Sequence, residues 1–228
     1  MSDGTAGSPR AARRPFTIGE EELLRGAGRP KSWRPGAVIF FQGDSPGGVV
    51  LVHEGLVKTT VEARSGYTSL LAVRGPGELV GELSCLDRRP RSATVTAMRP
   101  VRGTFIAADR FIGLLEQHDA LALALVRSVT GRLRHSDRLR ANQGALPALT
   151  RIARLLLELA LHHGAEVCDA PFARVVAVSQ SDVASASGTS RESVVRALRQ
   201  LQREALVSTS RGRITVHDVR ALSHWIDG

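Results

Sequence analysis

Between Gly36 and Ile106 the chain is a succession of short β-branched runs cut by glycine at Gly43, Gly47, Gly48, Gly55, Gly66, Gly75, Gly77 and Gly81. That punctuation constrains the fold more than any other feature. Ala37–Phe40, Val49–Val52, Leu56–Val61 and Thr94–Thr96 have the composition and length of strands. Gln42-Gly43-Asp44 and Arg64-Ser65-Gly66 supply turns between them. Runs this short and this evenly spaced predict an antiparallel barrel or roll.

On either side the texture is helical. The acidic, leucine-bearing stretch Glu20–Leu24 predicts a short helix, and Asp109–Gln117 another. A longer helix is expected from Asp119, read as its N-cap, to about Asn142. Along it Ala122, Val126, Val129, Leu133, Ser136 and Arg140 recur at alternating spacings of four and three. Such a narrow seam points to a dimer helix, the alternative being packing against the chain's own β-domain. Gln143-Gly144-Ala145-Leu146-Pro147 interrupts the pattern, and Pro147 is admissible only where a new helix begins. Ala148–His163 then carries an apolar stripe of Ile152, Leu155, Leu156 and Leu159.

The C-terminal part has the signature of a helix-turn-helix. Ser179 caps a short helix over Gln180–Ser187, Gly188-Thr189 turns the chain, and Ser190 caps a second helix from Arg191 to about Glu204. Val194, Leu198 and Leu201 form the inward stripe of that helix, which leaves Arg191, Glu192, Arg196 and Arg199 outward. Arginine can read guanine O6 and N7 in the major groove, and glutamate can accept from the cytosine amino group. Val207–Thr209 and Arg213–Val216 flank Arg211-Gly212 as a two-stranded wing, where Arg211 and Arg213 would meet phosphate. The alternative is a helical hairpin with a solvated charged face.

A second constellation lies inside the β-region. Gly81-Glu82-Leu83 and Arg91-Ser92-Ala93 stand at the two ends of one short loop. A guanidinium binds phosphate through its planar fork, and the hydroxyl of Ser92 with nearby backbone N–H groups can complete the shell. Glu82 would repel phosphate, so its use is to accept from hydroxyls of the same ligand. Donor beside acceptor suits a sugar phosphate, although an arbitrary Glu/Arg pair on a turn reads first as a surface ion pair.

The formal charge is +9, and 29 of the 31 basic residues are arginine, Lys31 and Lys58 being the lysines. The excess is spread along the chain but sharpens between Arg191 and Arg213, where six arginines face only Glu192 and Glu204. Cys85 and Cys168 lie far apart without metal-ligand spacing. Neither a disulfide framework nor a zinc or iron-sulfur centre is expected, and no metal or covalent cofactor. No GxSxG, HExxH or P-loop pattern supports an enzyme. No apolar run is long enough for a membrane span, and Met1–Pro15 lacks an apolar core like that of a secretory signal, so a cytoplasmic protein is expected.

These residues resemble the CRP/FNR family, the bacterial regulators typified by the cyclic-AMP receptor protein, over roughly residues 30 to 220. Gly81-Glu82-Leu83 with Arg91-Ser92-Ala93 is similar to the family's phosphate-binding cassette. Gly188-Thr189-Ser190-Arg191-Glu192-Ser193-Val194-Val195-Arg196 is similar to its recognition-helix motif. The resemblance implies that Glu82 holds the ribose 2′-hydroxyl, that Arg91 and Ser92 hold a cyclic phosphate, and that Arg191, Glu192 and Arg196 read a TGTGA-like half-site. It places Ser136 and Asp137 where the cyclic-AMP receptor protein contacts adenine with adjacent hydroxyls. Asp137 sets an anion there, which accepts from an adenine amino group or marks another base or no ligand. Pro147 stands where that protein caps the following helix with aspartate.

The expected fold is therefore α+β: an N-terminal antiparallel β-roll of cyclic-nucleotide-binding type, a long dimerisation helix, and a C-terminal winged helix-turn-helix. The expected boundaries are a flexible basic tail over 1–15, the roll over 16–118, the dimerisation helix over 119–143, a hinge over 144–147 and the DNA-binding domain over 148–228. The expected function is a homodimeric, sequence-specific regulator of transcription, with cyclic AMP favoured over cyclic GMP as allosteric effector. Double-stranded DNA with pseudo-palindromic half-sites and RNA polymerase are its expected partners. The alternative within the class is a regulator that answers to another small molecule or to none. A nucleotide-binding module docking on proteins is the rival outside it, and would leave Arg191, Glu192 and Arg196 without a purpose.

Overall fold

The computed structural model describes residues 15–228, so the expected tail lies outside the described residues except for Pro15. Helix α1 (Ile18–Gly26) opens the described chain on a capping box in which Thr17 and Glu20 satisfy each other's backbone N–H. Eight strands follow, interrupted by one short helix: β1 (Arg29–Trp33), β2 (Val38–Phe40), β3 (Gly48–Glu54), β4 (Val57–Glu62), β5 (Thr68–Arg74), β6 (Leu79–Val80), helix α2 (Glu82–Asp87), β7 (Thr94–Ala97) and β8 (Val101–Ala107). They form two four-stranded antiparallel sheets, β1-β8-β3-β6 and β2-β7-β4-β5. The sheets face each other across Val50, Val52, Val57, Val80, Val95, Ala97 and Val101, all buried. This is the expected roll.

Helices α3 (Ala108–Gln117) and α4 (Asp119–Ala145) lead away from it. Asp119 is the first residue of α4, so it meets the helix N-terminus from within the first turn and is not the N-cap. The backbone stays helical through Gly144 to Ala145, which leaves only Leu146 and Pro147 of the expected hinge outside helices. Leu121, Ala124 and Leu125 at the start of α4 are buried against α1, α3 and β3, and Val129 packs partly on the same cluster. Val126 (58 % exposed) and Leu133 (59 %) face away from the chain. The seam thus divides: Val129 belongs in part to the chain's own core, while Val126 and Leu133 are apolar side chains left uncovered.

Beyond Pro147, which stands as N-cap, come α5 (Ala148–His163), β9 (Ala165–Val167), β10 (Ala170–Val176), α6 (Gln180–Ser187), α7 (Arg191–Arg203), β11 (Val207–Ser210), β12 (Arg213–Val216) and α8 (Val219–Asp227). The third sheet runs β11-β12-β10-β9, and β11 and β12 form the wing around Arg211 and Gly212. Ile152, Leu156, Val183, Val194, Leu198, Leu201 and Leu222 fill the core beneath it. Leu56, Leu70 and Val73 of the roll belong to that same cluster, so the winged domain and the β4–β5 hairpin share one apolar core. His163, at the end of α5, lies against Gly75 just beyond β5. Burial, with His162 and Arg74 nearby, holds its ring down to about 4, which keeps this contact uncharged at neutral pH. Among the described residues no helix is long and apolar enough to cross a membrane.

Candidate functional site

The cassette is built by a left-handed glycine and a buried arginine. Gly81 has φ +85°, and a Cβ there would lie 2.7 Å from the Phe40 ring and 2.8 Å from Arg91 Nη1. Only glycine lets the chain turn from β6 into α2 this close to the guanidinium. The stretch after Gly81, expected as loop, is helical from Glu82 to Asp87, and Arg88 closes it in the left-handed region at φ 55°. That helix turns Glu82 inward, 3 % exposed, while Leu83 stays exposed.

Arg91 returns to the same place from the other end of the loop and is 4 % exposed. Its Nη1 donates to the Gly81 carbonyl at 2.6 Å and its Nη2 to the Gly48 carbonyl at 2.5 Å. The guanidinium carbon lies 4.0 Å from the Phe40 ring centroid, a cation–π stack. Nε is buried with no hydrogen-bond partner. The group is thus aimed by two carbonyls and a ring and keeps donor capacity for an anion. Beside it Ser92 is exposed and Ala93 is buried.

Glu82 does not wait for a ligand alone. It is ion-paired with Arg132 of α4, a residue that sequence reasoning missed. Arg132 falls between seam positions and looks like any solvated arginine; only the tertiary fold brings it 50 residues back to the cassette. The pairing ties the roll to the middle of α4. Ser136 lies four residues further, one turn along the same face, and is half-buried. Asp137, about 100° further around the helix, is exposed. The structure therefore gathers Gly81, Glu82 and Arg91, and sets Ser136 one helical turn beyond Arg132, the partner of Glu82, with Asp137 exposed.

A second face lies in the winged domain. Ser179 caps α6 through a capping box: its hydroxyl accepts from Asp182 N, and the Asp182 carboxylate accepts from Ser179 N at 3.0 Å and from its hydroxyl at 2.7 Å. Burial alone would raise the Asp182 carboxyl, but hydrogen bonds from Lys58 and Ser179 outweigh it and hold it below the ordinary range. Gly188 ends α6 at φ 62° and lets the chain turn into α7, whose N-cap is Ser190. Val194, Ala197, Leu198 and Leu201 are buried beneath α7. Arg191, Glu192, Arg196 and Arg199 are all exposed on its other side, and Arg196 Nη2 donates to Ser193 Oγ at 3.0 Å. Arg211 and Arg213 are exposed on the wing. A charged helix face flanked by a basic hairpin has the form of a major-groove reader with a phosphate-contacting wing. Among the described residues no group of three or more His, Cys, Asp or Glu could hold a metal ion.

Comparison with known proteins gives two family matches. Residues 30–118 match the cyclic nucleotide-binding domain, and residues 150–225 match the Crp-like helix-turn-helix domain. The Cyclic AMP receptor protein of Thermus thermophilus is 30 % identical over 187 residues, which cover 82 % of this chain and 83 % of that protein. A CRP-like cAMP-activated global transcriptional regulator of Mycobacterium tuberculosis is 26 % identical over 196 residues, covering 86 % and 87 %. Among solved structures, a CRP-family transcriptional regulator of Thermus thermophilus superposes with TM-score 0.72 at 25 % identity, covering 87 % of this chain and 97 % of that one. The c-di-GMP responsive global regulator CLP of Xanthomonas campestris shares the fold, with TM-score 0.74 at 22 % identity over 88 % and 99 % of the two chains.

Proposed function

The chain belongs to the CRP/FNR family of transcription regulators, and from that premise we propose that it works as a homodimer whose grip on DNA is controlled by cyclic AMP bound at Glu82 and Arg91. One observation carries the reading: the Glu82–Arg132 ion pair fastens the buried cassette to α4, the same helix that leaves Val126 and Leu133 uncovered. A ligand that competes for Glu82 necessarily changes what holds α4. The sugar hydroxyl takes the carboxylate acceptor, the cyclic phosphate takes Arg91 and Ser92, and the base lies toward Ser136 and Asp137.

Uncovered apolar residues on α4 fit a second copy of the same helix, which would bring two α7 faces to successive major grooves about 34 Å apart. Control follows if the nucleotide binds the DNA-competent arrangement more tightly than the other. Support for cyclic AMP comes from relatives named for it. A second reading, that the effector is another small molecule, is favoured by the exposed carboxylate of Asp137 and by a c-di-GMP responsive structural neighbour.

Titration calorimetry separates the two. Cyclic AMP is expected to bind at one site per chain with micromolar affinity and cyclic GMP at least tenfold more weakly. No heat from either nucleotide at millimolar concentration would remove the effector assignment and leave the DNA assignment standing.

A further inference from the structure

Strand β5 is an edge strand of its sheet, with one side unpaired within the roll. Helix α6 covers that side. The Leu70 N–H donates to Ser185 Oγ at 2.8 Å, and Lys58 Nζ on β4 meets Asp182 Oδ1 at 2.9 Å. Asp182 and Ser185 are one turn apart on α6, on the face opposite Val183, Ala184 and Ser187, which are buried in the winged domain. Helix α6 is therefore held between its own domain and the roll. Leu56, Leu70 and Val73 add apolar contact beside the two polar ones. The covalent link between α4 and α5 is, by contrast, only Leu146 and Pro147.

This fastening does not mask the reading face, because Arg191, Glu192, Arg196 and Arg199 stay exposed while α6 is held. Its effect is on orientation. Two reading helices on a dimer reach two half-sites only at the spacing that their domain angles permit. A two-residue link alone would let each winged domain swing.

We propose that Lys58, through Asp182 and the edge of β5, sets the half-site spacing at which the protein engages DNA. Lys58 is then a positioning residue that determines specificity without belonging to the reading face. The inference rests on the dimeric DNA-binding reading above. The energetic reason is preorganisation: a domain already held at the productive angle loses less freedom when the second half-site is engaged.

The test uses the full-length chain and Lys58→Met, with duplexes carrying two half-sites at a series of centre-to-centre spacings, and one carrying a single half-site, with and without cyclic AMP. The unmodified chain is expected to show one sharp spacing optimum. Lys58→Met should lose about tenfold in affinity at that optimum, bind neighbouring spacings nearly as well, and keep its single-half-site affinity; Lys58→Arg should restore the profile. Hydrogen exchange gives a readout that needs no DNA: the Leu70 amide should exchange faster in Lys58→Met, with Val50–Val52 unchanged. An unaltered spacing profile overturns the proposal. So does tighter binding at every spacing, which would make the fastening a brake, or an equal loss on the single half-site, which would make Lys58 a direct phosphate contact. If the unmodified chain shows no sequence preference, the DNA reading itself falls. That outcome is distinct from a discriminating protein whose Lys58→Met form keeps its spacing.

Discussion

A chain carrying Arg191→Ala and Arg196→Ala is expected to bind its operator no more tightly than random duplex. Each arginine on the exposed face of α7 can make one bidentate contact to guanine, worth about 1–3 kcal/mol of discrimination. Losing both, about 2–6 kcal/mol together, should cost roughly 30- to 10⁴-fold in specific affinity. Folding should be unaffected within about 0.5 kcal/mol, because both side chains lie away from Val194, Leu198 and Leu201 and the Ser190 cap is untouched. Competition of labelled operator against random duplex reads the first expectation, and thermal unfolding reads the second. Nucleotide binding in the roll should be unchanged. A double variant that still prefers its operator would show that α7 is not the reading helix.

The second large effect is expected at Arg91. Arg91→Ala strips the buried Gly48 carbonyl and the part-buried Gly81 carbonyl of a charged donor and removes the cation from the Phe40 ring. Each orphaned carbonyl costs about 1–3 kcal/mol, so a loss on the order of 4 kcal/mol in stability is expected, with nucleotide binding abolished. Arg91→Lys separates the two roles. Lysine keeps a charge over Phe40 but lacks the planar fork, so stability should fall by only about 1–2 kcal/mol while nucleotide affinity drops at least about 100-fold. Denaturant unfolding and calorimetry on the two variants make the comparison. Full nucleotide affinity in Arg91→Lys would mean that the phosphate is held elsewhere.

Much of the molecule was legible because its signals are local. The helix expected over Ala148–His163 has those bounds, as does Gln180–Ser187, since serine caps, a left-handed glycine and a proline N-cap act within a few residues of themselves. Helix α7 ends at Arg203, within one residue of its expected end. What escaped is what depends on distant neighbours. Strand β1, Arg-Pro-Lys-Ser-Trp, has almost no strand character and exists through its pairing with β8; as an edge strand it tolerates Pro30.

The cassette shows the same division. Glycine, glutamate and arginine at their spacing marked residues that the fold brings together, but the helix α2 among them and the partner Arg132 did not announce themselves. Leu70 and Val73 lie on β5 of the roll, yet their side chains join the core of the winged domain. Periodicity states which face of an element is apolar. It does not state which of two domains that face will meet.

On the proposed function, a cyclic nucleotide in the roll governs sequence-specific DNA binding by α7, which lies in the other domain. Fluorescence anisotropy on a duplex with two TGTGA-like half-sites, in the absence and presence of cyclic AMP, reads this coupling. The expected result is a gain of about 10- to 100-fold in affinity with cyclic AMP and no gain on a scrambled duplex. The same specific affinity with and without cyclic AMP would mean that the nucleotide does not govern DNA binding.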